Sequence, residues 1–456
     1  MICGFRRPDC IKLVNICSPM LFLILCFSPS VFAQERVLTL NEAIRLGLRE
    51  HEVVKVAKEG LYQSEQFRRK AISNILPHLT AEGTYTKYYE EKVKEFIPGS
   101  GSKSVIQPDN AYGYNVRLGI PVYQGGKEWS ALRQAKYLLK SGEEGLAHTS
   151  EGVIMEAASA YYIVLKVERE LEIKDADLKR AVERRRVAQA RFDVGEVTKS
   201  AVLRAEAEVA GIEAAVRGVN KDLAVSQERL SRLVGIPVGF KVEEPPGIAV
   251  PGTGASGIDG LIEIALSRRS DYLKAKADEE IAREGIRYAR GGFMPTMRLE
   301  GIYSWRDQEP VTSLFFNKES IFATLTLSLP LYEGGLRVAE VREAGSKSRE
   351  AELRRVILRK DIELQVREAY YSIEALNSTL EFYQKQLLFA EENYNMVFKQ
   401  FTYGLATNVD VIDANSVLVA AQESFANSKI DLQLAILELK RRMGVLMEEM
   451  ENPAYQ

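Results

Sequence analysis

Cysteine is almost missing from this chain of 456 residues: Cys3, Cys10, Cys17 and Cys26 lie near its start, and none follows. The remainder therefore lacks the residues needed for disulfides, zinc ribbons, iron–sulfur ligation or a cysteine nucleophile. An excess of either charge is also absent, because 61 basic side chains stand against 63 acidic ones. This balance excludes a nucleic-acid-binding protein that neutralises phosphates, and it excludes an acidic disordered tail.

Long apolar runs are confined to the N-terminus, where residues 1–33 are typical of a secretory signal peptide. Basic residues beginning at Arg6 precede an apolar run and a small–x–small cleavage site that ends at Ala33. A lipoprotein signal at Cys26 is the alternative, although Leu25 stands where such signals have a small residue. No later stretch approaches the ~20 apolar residues of a spanning helix. A membrane span would therefore have to consist of strands.

Proline is absent from residues 122–236 and 331–452, which are both rich in strong helix formers. The two stretches are copies, since the Pro-Val-Tyr-Gln-Gly-Gly motif at Pro121 recurs as Pro-Leu-Tyr-Glu-Gly-Gly at Pro330, 209 positions later. The offset stays constant for more than 110 residues, which indicates an internal duplication. We predict a first repeat at residues 34–236, a linker at 237–257, a second repeat at 258–445 and a C-terminal tail at 446–456.

Both repeats predict the same elements: a helix, two strands around a polar loop, a long helix, a tight turn and a return helix. The first helices are expected at about residues 40–74 and 258–290, and composition predicts a loop around residues 98–104. Each long helix should extend for roughly 100 Å and therefore needs a lateral partner. Apolar residues in the return helix alternate steps of three and four from Val209 to Leu233. This spacing predicts antiparallel coiled-coil hairpins.

Four segments of about ten residues alternate apolar and polar side chains. In residues 320–331 one face consists of Leu, Ile and Ala, whereas the other carries Ser and Thr, with Phe322 as the one exception. Such segments with aromatic ends are typical of a transmembrane β-barrel, and an ordinary half-buried sheet is the alternative. Four strands cannot close a barrel, for which about eight are needed, and open edges are not tolerated in hydrocarbon. Several chains must therefore each contribute four strands.

With these motifs the sequence resembles the TolC family of outer-membrane efflux and secretion channels. The resemblance rests on residues 38–43 (Leu-Thr-Leu-Asn-Glu-Ala), on Leu76-Pro77, on the two Gly-Gly junctions and on the turns at Gly195 and Gly404. It implies a mostly α homotrimer in which four strands per chain contribute to a 12-stranded barrel in outer-membrane lipid. A long antiparallel coiled-coil α-barrel would lie below it in the periplasm. The resemblance also implies docking to a periplasmic adaptor (membrane fusion) protein and to an inner-membrane efflux pump or ABC transporter, as in type I secretion.

Two functional sites are implied by the same resemblance. Tip turns that engage the adaptor in the family correspond here to Val194, Gly195, Thr198, Tyr403, Gly404, Leu405 and Thr407. Acids at the positions of Asp410 and Asp413 form the family's constriction ring, and such a ring favours cations. The alternatives are that the glycines only cap helices and that the acids are solvated surface groups. The first repeat departs from the pattern, because Ala201 and Arg204 occupy the equivalent positions.

The sequence offers no credible catalytic, cofactor or metal site. Residues 252–257 match G-x-G-x-x-G, but Pro251 adjoins the motif and no βαβ unit follows. His51, His78 and His148 are scattered, so neither a metal site nor a Ser–His–Asp triad is expected. The alternative to a channel is a structural or adhesive periplasmic stalk, a coiled coil without a pore.

Overall fold

The computed structural model describes residues 36–95, 103–248, 257–310 and 317–451, and most of them are helical. The predicted signal peptide and most of the G-x-G-x-x-G motif lie outside these residues. The helices are α1 (Leu40–Glu50), α2 (Glu52–Ser73), α3 (Lys127–Asp193), α4 (Lys199–Val234), α5 (Gly257–Arg268), α6 (Ser270–Arg290), α7 (Leu336–Thr402), α8 (Asn408–Arg442) and α9 (Leu446–Glu451). The strands are β1 (Arg36–Leu38), β2 (His78–Lys87), β3 (Lys92–Glu95), β4 (Lys103–Gln107), β5 (Asn110–Gln124), β6 (Phe240–Val242), β7 (Thr296–Glu309) and β8 (Glu319–Ser328).

Two helical hairpins dominate the chain, as the apolar spacing predicts. The outgoing helices α3 and α7 have 67 residues each, and this length corresponds to about 100 Å. The return helices α4 and α8 have 36 and 35 residues. Along α4 the predicted seam faces inward, because Val209, Val219 and Leu230 are buried, and Leu418 and Leu439 are buried at the equivalent steps of α8. No helix within the described ranges combines the length and the hydrophobicity that a membrane-spanning helix needs.

Helix α8 lies between the two outgoing helices and contributes to the hydrophobic core of each repeat. Ile430 and Leu437 pack into the core of the first repeat, with α1, α3, α4, β1 and β6. Leu432, Ile436 and Leu439 pack into the core of the second repeat, with α5 and α7. The two hairpins are therefore joined side by side through opposite faces of one helix.

Each of the two predicted N-terminal helices is divided by one extended residue. His51 (ψ 128°) separates α1 from α2, and Arg269 (ψ 121°) separates α5 from α6. Each residue is the N-cap of the following helix. His51 Nδ1 accepts a hydrogen bond from the Val53 N–H (3.3 Å), whereas the Arg269 side chain makes no capping hydrogen bond and its guanidinium binds the Asp271 carboxylate instead (2.6 Å). His and Arg are not favoured N-cap residues, so these breaks were missed in the sequence.

A four-stranded antiparallel sheet, in the order β2-β5-β7-β8, joins the two repeats at one end of the long helices. Its register places apolar residues opposite apolar ones: Leu79 faces Leu118, and Leu299 faces both Ile120 and Leu325. The predicted alternation therefore produces one apolar and one polar face. The sheet does not close on itself, and β2 and β8 form its edges.

A parallel pair, β1 with β6, was not predicted. The buried hydroxyl of Tyr161 in α3 holds it, because this hydroxyl donates to the Leu38 carbonyl (2.9 Å) and accepts from the Glu243 N–H (2.9 Å). The strand β6 lies inside the segment that we predicted to be a linker. Three residues per strand are too few for a periodic pattern, so a tertiary contact decides this element.

The loop prediction for residues 98–104 is wrong at its C-terminal end. Lys103 and Ser104 belong to β4, which pairs with β3 in an antiparallel hairpin. The β-branched residues Val105 and Ile106 in the same strand favour this pairing over a loop. Residues 96–102, the remainder of the predicted loop, lie outside the described residues.

Candidate functional site

The first hairpin turns at residues 194–198. Val194 follows the last residue of α3, and Gly195 has φ +81°, a left-handed conformation that suits glycine. The Gly195 N–H donates to the Phe192 carbonyl (2.9 Å). Thr198 then begins α4 with an extended backbone, although within the described chain its hydroxyl accepts no capping hydrogen bond.

The second hairpin turns with the same backbone geometry. Gly404 has φ +75°, and its N–H donates to the Phe401 carbonyl (3.0 Å). Here the N-cap is closed by side chains in a capping box. The Thr407 Oγ1 accepts from the Asp410 N–H (3.3 Å), while Asp410 Oδ2 accepts from the Thr407 N–H (2.8 Å). Both glycines therefore help to cap the C-terminal ends of α3 and α7, and this role is compatible with contact to an adaptor.

The predicted tip residues form the exposed ends of the hairpins. Val194, Tyr403 and Leu405 are 71%, 81% and 80% exposed. Gly195, Thr198, Gly404 and Thr407 are exposed as well. Large apolar side chains this accessible are typical of a surface that contacts another molecule.

Arg191 connects the two tips, and sequence reasoning missed it. Its Nη1 donates to the Phe401 carbonyl of the other hairpin (3.0 Å), and its guanidinium carbon lies 5.4 Å from the centre of the Phe401 ring. Its Nε also donates to Glu196 in its own turn (3.0 Å). The partner across the hairpins is a backbone carbonyl, which leaves no residue-type signal in the sequence.

Asp410 and Asp413 are both exposed on the first turns of α8. The hydrogen bonds from Thr407 hold the pKa of the Asp410 carboxyl below its ordinary value, so this group stays ionised. Within the described residues, the Asp413 carboxylate has no hydrogen-bond or ion-pair partner. Asp410 thus has a helix-capping role that the spacing Thr407-x-x-Asp410 already signals in the sequence.

A buried polar network lies above the tips and touches all four long helices. The guanidinium of the fully buried Arg184 binds Glu208 (2.5 Å) and the Tyr394 hydroxyl (3.4 Å). It also lies 3.9 Å from Asp177, whose carboxylate accepts from the Asn415 amide (2.7 Å). This network connects α3, α4, α7 and α8. The residues are far apart in the sequence, so no local pattern could have revealed it.

The apolar face of the sheet is open to the surroundings in the single chain. Leu79, Ile321 and Leu327 are 70%, 81% and 65% exposed. Near one end of this face the Tyr114 ring stacks on Trp305, with ring centres 5.4 Å apart. Aliphatic residues bounded by aromatic ones are typical of strands that face lipid.

A protein-family model described as "Outer membrane efflux protein" matches residues 55–236 and 261–445. The outer membrane protein TolC of Vibrio cholerae is 27% identical over 333 residues, which are 70% of this chain and 74% of that protein. TolC of Escherichia coli is 25% identical over 402 residues, covering 83% of this chain and 77% of that protein.

Solved structures agree with the fold. The outer membrane protein VceC of Vibrio cholerae matches with a TM-score of 0.75 at 19% identity, over 89% of this chain and 96% of that one. The CmeC outer membrane channel of Campylobacter jejuni matches with a TM-score of 0.75 at 16% identity, over 91% and 90%. These likenesses confirm the predicted fold class, with its internally duplicated hairpins and strands.

Of the two function classes that the sequence left open, the comparisons support the channel and give nothing for the stalk. Channels of this kind are trimeric and work with adaptors and inner-membrane pumps. The chain belongs to the outer membrane efflux protein family, and it is a non-enzymatic outer-membrane channel with its helical tunnel in the periplasm.

Proposed function

We propose that this chain is one third of a homotrimeric exit duct that passively conducts substrates delivered by an inner-membrane pump through a periplasmic adaptor. The open four-stranded sheet, continuous with hairpins about 100 Å long, carries this proposal. Three such sheets supply twelve strands, and three pairs of hairpins supply the wall of the tunnel. Closure of the barrel pairs the free backbone groups at the edges of β2 and β8, because open sheet edges are not tolerated in hydrocarbon.

The pump is an efflux pump or an ABC transporter. The relatives include one protein named for export and one named for secretion. OpmQ of Pseudomonas aeruginosa is named for pyoverdine export, and AprF of the same organism is named for alkaline protease secretion.

Because the described residues contain no cysteine, a single Tyr403→Cys variant gives one cross-linking site at the tip. We expect it to capture a periplasmic adaptor in cells, while a cysteine placed at Lys221 on α4 should not. Equal capture at both positions would contradict docking through the tips.

The tips are the docking surface in this proposal. Support comes from the exposed side chains of Val194, Tyr403 and Leu405, which stand at the end remote from the sheet. We expect a bulky residue at Gly195 or Gly404 to abolish efflux while the trimer still assembles. Gly211 is a matched control, because it lies inside α4 with open space around it. Loss of the trimer itself in the tip variants would mark these glycines as structural.

Asp410 and Asp413 form the constriction in this proposal, and the channel opens when the second hairpin swings outward. Their exposure near the tip and the ionised state of Asp410 support it. A threefold ring of carboxylates in a narrow pore repels itself and attracts cations. Outward movement of the hairpins relieves this repulsion.

The constriction is tested by replacing Asp410 and Asp413 with alanine and recording single channels in planar bilayers. We expect a higher conductance or a weaker preference for cations than in the unmodified trimer. Asp222, an exposed acid far along α4, provides the control Asp222→Ala. Recordings of the double variant that match the control would remove the constriction from these residues.

A further inference from the structure

The two hairpin tips carry opposite charges at equivalent positions. Asp413 is the sixth residue after the N-cap Thr407, and Arg204 is the sixth residue after the N-cap Thr198. Both side chains are exposed. Neither forms a hydrogen bond or ion pair through its charged group with any other part of the described chain. A basic group without a counter-charge thus occupies the place in the first hairpin that an acid occupies in the second.

Burial shows that the two positions have the same orientation in their hairpins. Val202 and Ala205 are buried on either side of Arg204, and Val411 and Ala414 are buried on either side of Asp413. The buried seam therefore follows the same register in α4 and α8. Since an exposed residue lies at a fixed angle from such a seam, Arg204 and Asp413 leave their helices in equivalent directions.

The tips also lie at the same height along the tunnel. Arg191 of the first hairpin donates to the Phe401 carbonyl of the second (3.0 Å), and both residues lie within three positions of the end of their helix. Six residues of helix beyond each N-cap then span about 9 Å. Arg204 and Asp413 therefore lie at about the same distance from the tips of their hairpins, which would place them on one level of an assembled channel.

The junction between hairpins within a chain indicates what lies beside α4 in the assembly. Within the chain α8 packs on α3, where Asn415 donates to Asp177 (2.7 Å). The duplicated equivalents are Glu206 on α4 and Gln386 on α7, and the buried Gln386 Oε1 has no partner among the described residues. A neighbouring chain that repeats the α3–α8 junction would place its α4 against this α7. Hairpins of the first and second kind would then alternate around the ring.

From these observations we propose that Arg204 is the counter-charge of the constriction, a proposal that rests on the trimeric channel and on the acidic ring proposed above. In the alternating ring the hairpin on either side of each Asp413 carries an Arg204. The guanidinium offsets part of the negative field of Asp410 and Asp413 and thereby limits the preference of the pore for cations. Arg204 is thus a residue that determines ion selectivity, contributed by the hairpin that lacks the acids.

The test is the reversal potential of reconstituted trimers under a gradient of potassium chloride. We expect Arg204→Gln to raise the ratio of potassium to chloride permeability about twofold or more, because a positive charge leaves the narrowest part of the pore. Arg217→Gln is the matched control, since Arg217 is an exposed base on the same helix, roughly 20 Å farther from the tip. Asp413→Asn should lower the same ratio.

A charge exchange separates the ring from a simple effect of net charge. Arg204→Asp alone should strengthen the cation preference and Asp413→Arg alone should reverse it, whereas the two together should return the ratio to within about twofold of the original. If Arg204→Gln fails to form trimers on gels, the selectivity of the double exchange variant tests the proposal in its place. One result overturns this inference alone: Arg204→Gln and Arg217→Gln have equal ratios of potassium to chloride permeability, while Asp413→Asn still lowers that ratio. Unchanged selectivity in every variant overturns the acidic constriction and the inference together.

Discussion

Replacing Arg184 by methionine should destabilise the helical tunnel strongly. Methionine has a similar length but no charge, so Glu208 and Asp177 would lose the guanidinium that lies 2.5 Å and 3.9 Å from them. Removal of one partner of a buried ion pair costs about 3–5 kcal/mol, because the remaining charge has lost its water and its counter-ion. Arg184 is fully buried, so little solvent screens this loss.

The assay is thermal unfolding of the detergent-solubilised protein, followed by helical circular dichroism. An unfolding entropy of about 2.1 cal/mol/K per residue gives roughly 1 °C per kcal/mol for a chain of this length, so the loss should lower the melting temperature by about 3–5 °C. Arg186→Met is the control, because Arg186 lies two positions after Arg184 on the same helix, is 70% exposed and, among the described residues, pairs only with Glu183. Exposed pairs contribute about 0–1 kcal/mol, so the control should melt close to the original protein.

A double variant, Arg184→Met with Glu208→Leu, distinguishes charge from packing. Removing both charges should restore most of the stability, since apolar residues of similar volume often replace a buried ion pair without cost. Two results would refute the reasoning. One is a melting temperature of Arg184→Met equal to that of the control Arg186→Met. The other is a double variant that is no more stable than Arg184→Met alone.

Three further predictions concern single contacts. Gly291→Ala should impair trimer yield on gels, because an added Cβ would lie 2.7 Å from the Gly125 carbonyl oxygen where the sheet meets the helices; a normal yield would contradict this steric argument. Tyr161→Phe should cost about 1–3 kcal/mol, since two backbone groups lose their buried partner, and it should speed proteolysis of β1; unchanged cleavage would show that the hydroxyl is dispensable. Wild-type Asp410 has a lowered pKa, so its contribution to the cap is complete above the usual aspartate range and disappears only as the pH falls through that lowered pKa. In Thr407→Val the loss should begin at a higher pH, as read by hydrogen exchange at the start of α8, and an unchanged pH profile would show that Thr407 does not tune this carboxyl.

Periodicity and duplication predicted most of the fold. Steps of three and four from Val209 to Leu233 are enough to place the seam of a coiled coil, because burial in such a hairpin follows the heptad. Alternation in the strands likewise fixes the two faces of the sheet, since the side-chain period of a strand is two. The turns at Gly195 and Gly404 were visible because a left-handed residue favours glycine.

Features that depend on contacts between distant segments could not be predicted. The breaks at His51 and Arg269 have no typical N-cap residue, and β1 with β6 is a pair of three-residue strands fastened by one tyrosine. Arg191 contacts the backbone carbonyl of the other hairpin, and because every residue type has such a carbonyl, the sequence does not indicate the partner. The capping box of Asp410 is different, because it depends on two residues three positions apart and the spacing Thr407-x-x-Asp410 is visible in the sequence.

The shared helix α8 has a consequence for how the protein can be made. It supplies Ile430 and Leu437 to one core and Leu432 and Ile436 to the other, although it comes last among the long helices. A chain emerging N-terminus first therefore cannot finish its first half until nearly all of its second half has followed. The duplication did not leave two units that mature separately, and a chain interrupted before α8 would present two unfinished apolar surfaces to periplasmic chaperones and proteases.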